Sequence, residues 1–124
     1  MRRKRVISRK VIVVDDEKMI AEAIGKVLTR AGHKVSIFSH SVEALAELQK
    51  TDFEVAIFDL LMSDVSGEDL LDWVRANKPA TKVLIMTAYG DTKLRQGLLN
   101  KGAIDVLAKP FEDIFAFASL VEGL

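Results

Sequence analysis

In this 124-residue chain, a few polar residues stand where short apolar runs stop. Asp15 and Asp16 close the first run, and Glu17 follows them. Asp59 closes another, Thr87 a third, and Lys109 comes directly after a fourth. Carboxylates brought into one pocket disfavour each other's ionisation unless a cation neutralises them. Mg²⁺ suits such a cluster, because it takes a few carboxylate oxygens and keeps waters that a phosphate oxygen can replace. A lysine adds a point charge that reaches an oxyanion, and a threonine adds a hydroxyl donor. Together these types make a phosphoryl-transfer site, with Asp59 as the carboxylate nucleophile and Lys109 and Thr87 stabilising the remaining charge. Singly, each has an ordinary reading: Asp15-Asp16 as a helix start, Lys109-Pro110 as a turn, Thr87 as a strand-end hydroxyl. The information lies in their joint placement.

That placement depends on the elements. The runs 11–14, 35–38, 55–58, 83–86 and 104–107 are short and mostly β-branched or aromatic, and read as strands. Three of them, 11–14, 55–58 and 83–86, are continuously apolar, which suits strands covered on both faces. Helical spacing separates them. Met19, Ala23, Ile24, Val27, Leu28 and Ala31 recur at three and four, and Gly32 stops that helix. Ser41 reads as the N-cap of a second helix carrying Val42, Leu45 and Leu48. A third runs from about Ser66 to Asn77 with Leu70, Leu71 and Val74 inward. Asp91 caps a fourth with Leu94, Leu98 and Leu99, which Gly102 ends, and a last helix spans about Glu112 to Leu124. Five alternating strand-helix units predict one α/β domain, a doubly wound parallel sheet. In such sheets sites form beyond the carboxyl ends of the strands, where these polar residues stand.

Composition narrows the class. The chain has no cysteine, which excludes disulfide and thiolate chemistry. No apolar run approaches the roughly 20 residues of a membrane span, and a cytoplasmic setting is expected. The formal charge of zero conceals a basic arm over residues 1–9, ahead of a domain over 10–124. Arg2, Arg3, Lys4, Arg5, Arg9 and Lys10 precede a body in which 12 positive charges face 18 negative ones. The arm has no aromatic residue to stack on a base, so direct nucleic-acid binding is not expected.

The ordered motifs are more specific. The run from Val11 to Glu17 (VIVVDDE), Asp59 to Met62 (DLLM) with Gly67, Met86 to Ala88 (MTA) and Gly102 to Phe111 (GAIDVLAKPF) closely resemble bacterial two-component response-regulator receiver domains. The resemblance covers about residues 10–124. It implies a flavodoxin-like (βα)5 fold with strand order 2-1-3-4-5. It also implies that Asp59 is the phosphoacceptor, that Asp15 and Asp16 form the acidic pair, and that Mg²⁺ is held by Asp15, Asp16, Asp59 and the Leu61 backbone carbonyl. Thr87 and Lys109 take the places of the site's hydroxyl and lysine. The implied function is a phosphorelay switch that accepts its phosphoryl group from a sensor histidine kinase or phosphotransfer protein and alters the binding of a downstream protein. It catalyses only its own phosphorylation and dephosphorylation.

Three positions depart from the family pattern. Ser63 stands where proline is common, Val65 where methionine is frequent, and Val106 where strand five usually carries Tyr or Phe. Valine cannot swing inward as a ring does, which bears on how the signal is read. The last helix carries more apolar residues than one buried stripe needs, and Ile114, Phe115, Phe117 and Val121 suggest a homodimer or partner face. Three rivals remain. A non-phosphorylated interaction module of the same fold has no need of the full set of five polar residues. An aspartyl-phosphate phosphohydrolase commonly shows Asp-x-Asp, whereas Asp59-Leu60-Leu61 lacks the second acid. A flavin-binding protein needs a phosphate cradle where this chain has acids.

Leu61 and Tyr89, two residues beyond Asp59 and Thr87, border the phosphoryl group in receivers. Hydrolysis of an aspartyl phosphate needs a water held in line with the scissile bond. Leu61 has no polar atom to orient one, and Tyr89 is bulky enough to cover the approach. A long-lived phosphoryl state is expected, with faster decay of the labelled protein once Leu61→Asn and Tyr89→Ala are combined. Unaltered decay in that double variant contradicts control of lifetime by access.

Overall fold

The computed structural model describes residues 7–88 and 90–124. Its elements run β1 (Lys10–Val14), α1 (Lys18–Arg30), β2 (Lys34–Phe38), α2 (Ser41–Lys50), β3 (Val55–Asp59), α3 (Gly67–Asn77), β4 (Lys82–Thr87), α4 (Thr92–Asn100), β5 (Asp105–Ala108) and α5 (Ala116–Glu122). The strands form one parallel sheet in the order β2-β1-β3-β4-β5. The flavodoxin-like order expected from the resemblance is the observed one.

The three continuously apolar strands occupy the centre, and alternation of side chains divides them between two cores. Ile12, Val14, Ala56, Phe58, Val83 and Ile85 face α2, α3 and α4, where Ala44, Leu48, Leu70, Leu71, Val74 and Leu98 meet them. Val11, Val13, Val55, Ile57, Leu84 and Met86 face α1 and α5, against Ala21, Ile24, Leu28, Phe117 and Val121. Covering both faces is what lets the inner strands dispense with polar residues until they reach their carboxyl ends.

Several local expectations hold. Gly32 and Gly102 take positive φ of 98° and 109° just beyond α1 and α4, the conformation that favours glycine. Ser66 accepts from the Asp69 N–H in a full capping box, and the Asp91 side chain accepts from the Lys93 N–H.

Others need correction. Met19 and Val42, counted with the apolar positions of their helices, are 84% and 54% exposed. The series 19, 23, 27, 31 advances about 40° around the helix per step, so it cannot lie on one face. The buried face of α1 is Ala21, Ile24, Gly25 and Leu28. Fully burying a side chain such as Ile24 stabilises by roughly 1.5–3 kcal/mol, which exposed Met19 does not supply. Ser41 is the first helical residue of α2, and His40 holds the cap position. Helix α5 is shorter than 112–124, covering only Ala116–Glu122. Strand β5 starts at Asp105, and Ile104 is exposed. Of the four residues read as a dimer face, Phe117 and Val121 are buried in the α1–α5 core and Ile114 packs against it, which leaves Phe115 exposed at 69%.

Candidate phosphoryl-transfer site

Neighbouring strands β1 and β3 pair in register up to Val14 and Phe58, so the next residues, Asp15 and Asp59, leave the sheet side by side. Asp59 pairs with Met86, and the following residue Thr87 pairs with Ala108, immediately before Lys109. Strand order and register thus carry the four residues to one edge.

Asp15 is fully buried, and Asp59 and Thr87 are nearly so. Lys109 Nζ donates to Asp15 Oδ2 at 2.6 Å and lies 3.3 Å from Asp59 Oδ1. Glu17 Oε1, on an exposed side chain, is 3.5 Å from the same ammonium. The Glu17 N–H donates to Asp15 Oδ1 at 2.9 Å, which fixes the carboxylate's other oxygen. Asp15, Asp16 and Asp59 each offer a carboxylate oxygen, and these oxygens lie within 4.8 Å of one another. A compact all-oxygen donor set of this kind, partly exposed through Asp16, fits a hard divalent cation. Asp16, Glu17, Asp59, Leu61, Thr87, Ala88 and Lys109 line a cleft of about 180 Å³. A larger groove of about 600 Å³ lies between β5 and α5, where its lining is mainly apolar and carries none of these residues.

Leu61 is 56% exposed at the cleft wall, on the loop between β3 and α3. That loop leaves the sheet tightly: a Cβ on Gly67 would sit 2.2 Å from the Asp59 carbonyl oxygen, so α3 begins against the acceptor's backbone. Val106 is buried in the α2–α4 side core. Tyr89 lies outside the described residues. Sequence reasoning named Asp15, Asp16, Asp59, Leu61, Thr87 and Lys109, and all of them border or occupy this site. It passed over Glu17 as a partner of Lys109, although its adjacency to the acidic pair was a usable signal.

The electrostatics are strained in one direction. Burial, then the Asp15 charge, push the Asp59 carboxyl up to about 7, and Lys109 only partly offsets them. Burial is the largest influence on Lys109 and opposes its charge. The bonds and charges of Asp15 and Asp59 together outweigh it and hold the ammonium above the usual lysine range.

A family model described as the response regulator receiver domain matches residues 11–118. The chain belongs to that family. This receiver domain is 34% identical over 106 residues to response regulator protein FleR of Pseudomonas aeruginosa, covering 86% of the chain and 22% of FleR. A CheY-like receiver domain protein from Methanospirillum hungatei superposes with a TM-score of 0.86 at 25% identity, covering 94% of this chain and 93% of that one. The BeF3-activated receiver domain of DrrB, a Thermotoga maritima protein, gives 0.85 at 26% identity, covering 94% and 97%. The receiver domain therefore spans about a fifth of FleR's length and nearly the whole of the two solved domains. Receivers are signalling switches rather than enzymes acting on external substrates. Among the described residues, no helix is long and apolar enough to cross a membrane.

The raised Asp59 carboxyl has a consequence for stability. In the absence of divalent cations its folded value of about 7 exceeds the ordinary 3.8. Between those values the folded chain holds a proton that the unfolded chain has lost, so this contribution is full below the lower value and disappears as pH rises through the upper one. The melting temperature of Asp59→Asn minus that of the unsubstituted chain, in chelator, is expected to increase from pH 4 to 7 and level off above. A difference independent of pH contradicts the assignment.

Proposed function

We propose that this receiver domain takes a phosphoryl group on Asp59 from the phosphohistidine of a sensor histidine kinase or phosphotransfer protein, in a Mg²⁺-dependent reaction, and passes the change to a downstream protein. The observation that carries the reading is the convergence of three carboxylates on one point with the Lys109 ammonium between two of them. Asp15, Asp16, Asp59 and the Leu61 carbonyl would hold Mg²⁺. The chemistry Mg²⁺ supplies when bound is neutralisation of the carboxylates and of phosphoryl-oxygen charge.

The remaining steps belong to the chain's own groups. An ionised Asp59 oxygen attacks phosphorus, the bond from phosphorus to the donor imidazole nitrogen breaks, and the imidazole leaves with that electron pair and takes up a proton. Lys109, held toward the site by Asp15, places its charge against a phosphoryl oxygen. Thr87, nearly buried at the end of β4, has the hydroxyl suited to donate to another. Burial of Asp59 keeps water from competing for its oxygens. The apolar wall at Leu61 supports a slow loss of the group. DrrB, similar in fold, has a BeF3-activated state, which supports phosphorylation-type control.

Val106 is already packed in the core and has no ring to exchange between an outward and an inward position. The readout in this chain therefore does not use a ring at this position.

Incubation with acetyl phosphate and Mg²⁺ is expected to add one phosphoryl mass to the intact chain, and none when Asp59→Asn is used or the cation is chelated. An adduct of equal yield in Asp59→Asn overturns the assignment.

A further inference from the structure

The loop that carries Leu61 is held at its two ends by the backbone. The Leu60 N–H donates to the Met86 carbonyl at 2.8 Å, and the Gly67 N–H donates to the Leu60 carbonyl at 2.9 Å. Between these ties, Leu61, Ser63 and Asp64 are exposed, while Met62 and Val65 lean on the core. No proline stands in this stretch to lock a φ angle, since Ser63 occupies the position where family members commonly have one.

A third tie comes from a distant element. The Val65 N–H donates to Ser41 Oγ at 2.9 Å across 24 residues of sequence. Ser41 is only 3% exposed. A serine at a helix start ordinarily turns its oxygen onto its own helix's first N–H groups. Here His40 holds the cap position without a side-chain cap bond, Ser41 follows it as the first helical residue, and the Ser41 oxygen accepts from the β3–α3 loop.

We propose that Ser41 is a positioning residue for the cation site: its buried hydroxyl pins Val65 and thereby fixes the loop that brings Leu61 to the cleft it shares with Asp16 and Asp59. The inference rests on the reading of those groups as holders of Mg²⁺. Removing the hydroxyl leaves a part-buried N–H without its partner and frees the segment from Leu61 to Val65 to sample other conformations. The carboxylates, seated on β1 and β3, stay where they are. The loss therefore falls on cation affinity and not on the nucleophile.

The test is calorimetric titration of the full chain with Mg²⁺, with the phosphorylation rate from acetyl phosphate followed against Mg²⁺ concentration. Thr51→Ala is the control. Its hydroxyl donates to Glu47 at 2.8 Å at the far end of the same helix, so it perturbs α2 without touching the loop. Ser41→Ala is expected to weaken Mg²⁺ binding about fivefold, the size set by loss of one ordinary hydrogen bond. Its phosphorylation rate should return to the unsubstituted level at saturating Mg²⁺, and Thr51→Ala should keep the original affinity. Unchanged Mg²⁺ affinity in Ser41→Ala, or an equal loss in Thr51→Ala, overturns the positioning role. Failure of the unsubstituted chain to bind Mg²⁺ overturns the proposed function together with it.

Discussion

The ion pair between the Lys109 ammonium and the fully buried Asp15 carboxylate is the contact on which the site depends. A carboxylate taken fully out of water is tolerated only with a close counter-charge, and removing one partner of such a pair costs about 3–5 kcal/mol. Lys109 answers Asp15 but is shared with Asp59 and Glu17. One positive charge among three carboxylates leaves the pocket short of cations, and burial, then the Asp15 charge, raise the Asp59 carboxyl beyond what Lys109 offsets. Under the proposed function, a divalent ion would supply the missing positive charge, and a bound phosphoryl group would add negative charge for that ion and Lys109 to answer.

The sheet exists, in functional terms, to impose that conflict. Strand β1 beside β3 puts two acids at adjacent strand ends, and β4 beside β5 brings the hydroxyl and the lysine to the same edge. Two hydrophobic cores, one on each face, hold the strands in register, so the acids cannot drift apart to relieve their repulsion.

Much of this was legible in the residues. The continuous apolar strands and the turn glycines Gly32 and Gly102 are local signals, and the chain's alternating pattern makes them reinforce one another. The site was legible for the same reason, because its residues mark strand ends. What escaped was set by packing over distance. Met19 matches helical spacing, yet the face of α1 was chosen by Ala21, Ile24 and Leu28 against β-strand side chains. The apolar last helix read as a surface because the depth of its seat against α1 is a tertiary fact, and that seat buries Phe117 and Val121. Ser41 read as a cap because nothing near it in sequence announces Val65.

The central claim is that Asp59 keeps a substantial fraction of a proton near neutrality until a cation displaces it. Calorimetry of Mg²⁺ binding at pH 6.5–7 (a range chosen about the value of about 7 for Asp59), in buffers of differing ionisation enthalpy, measures that displacement directly. The account predicts release of a substantial fraction of one proton per ion bound, falling toward zero at pH 8.5 and absent in Asp59→Asn, where a proton is no longer there to be released. Binding of Mg²⁺ with no proton release at either pH would contradict it.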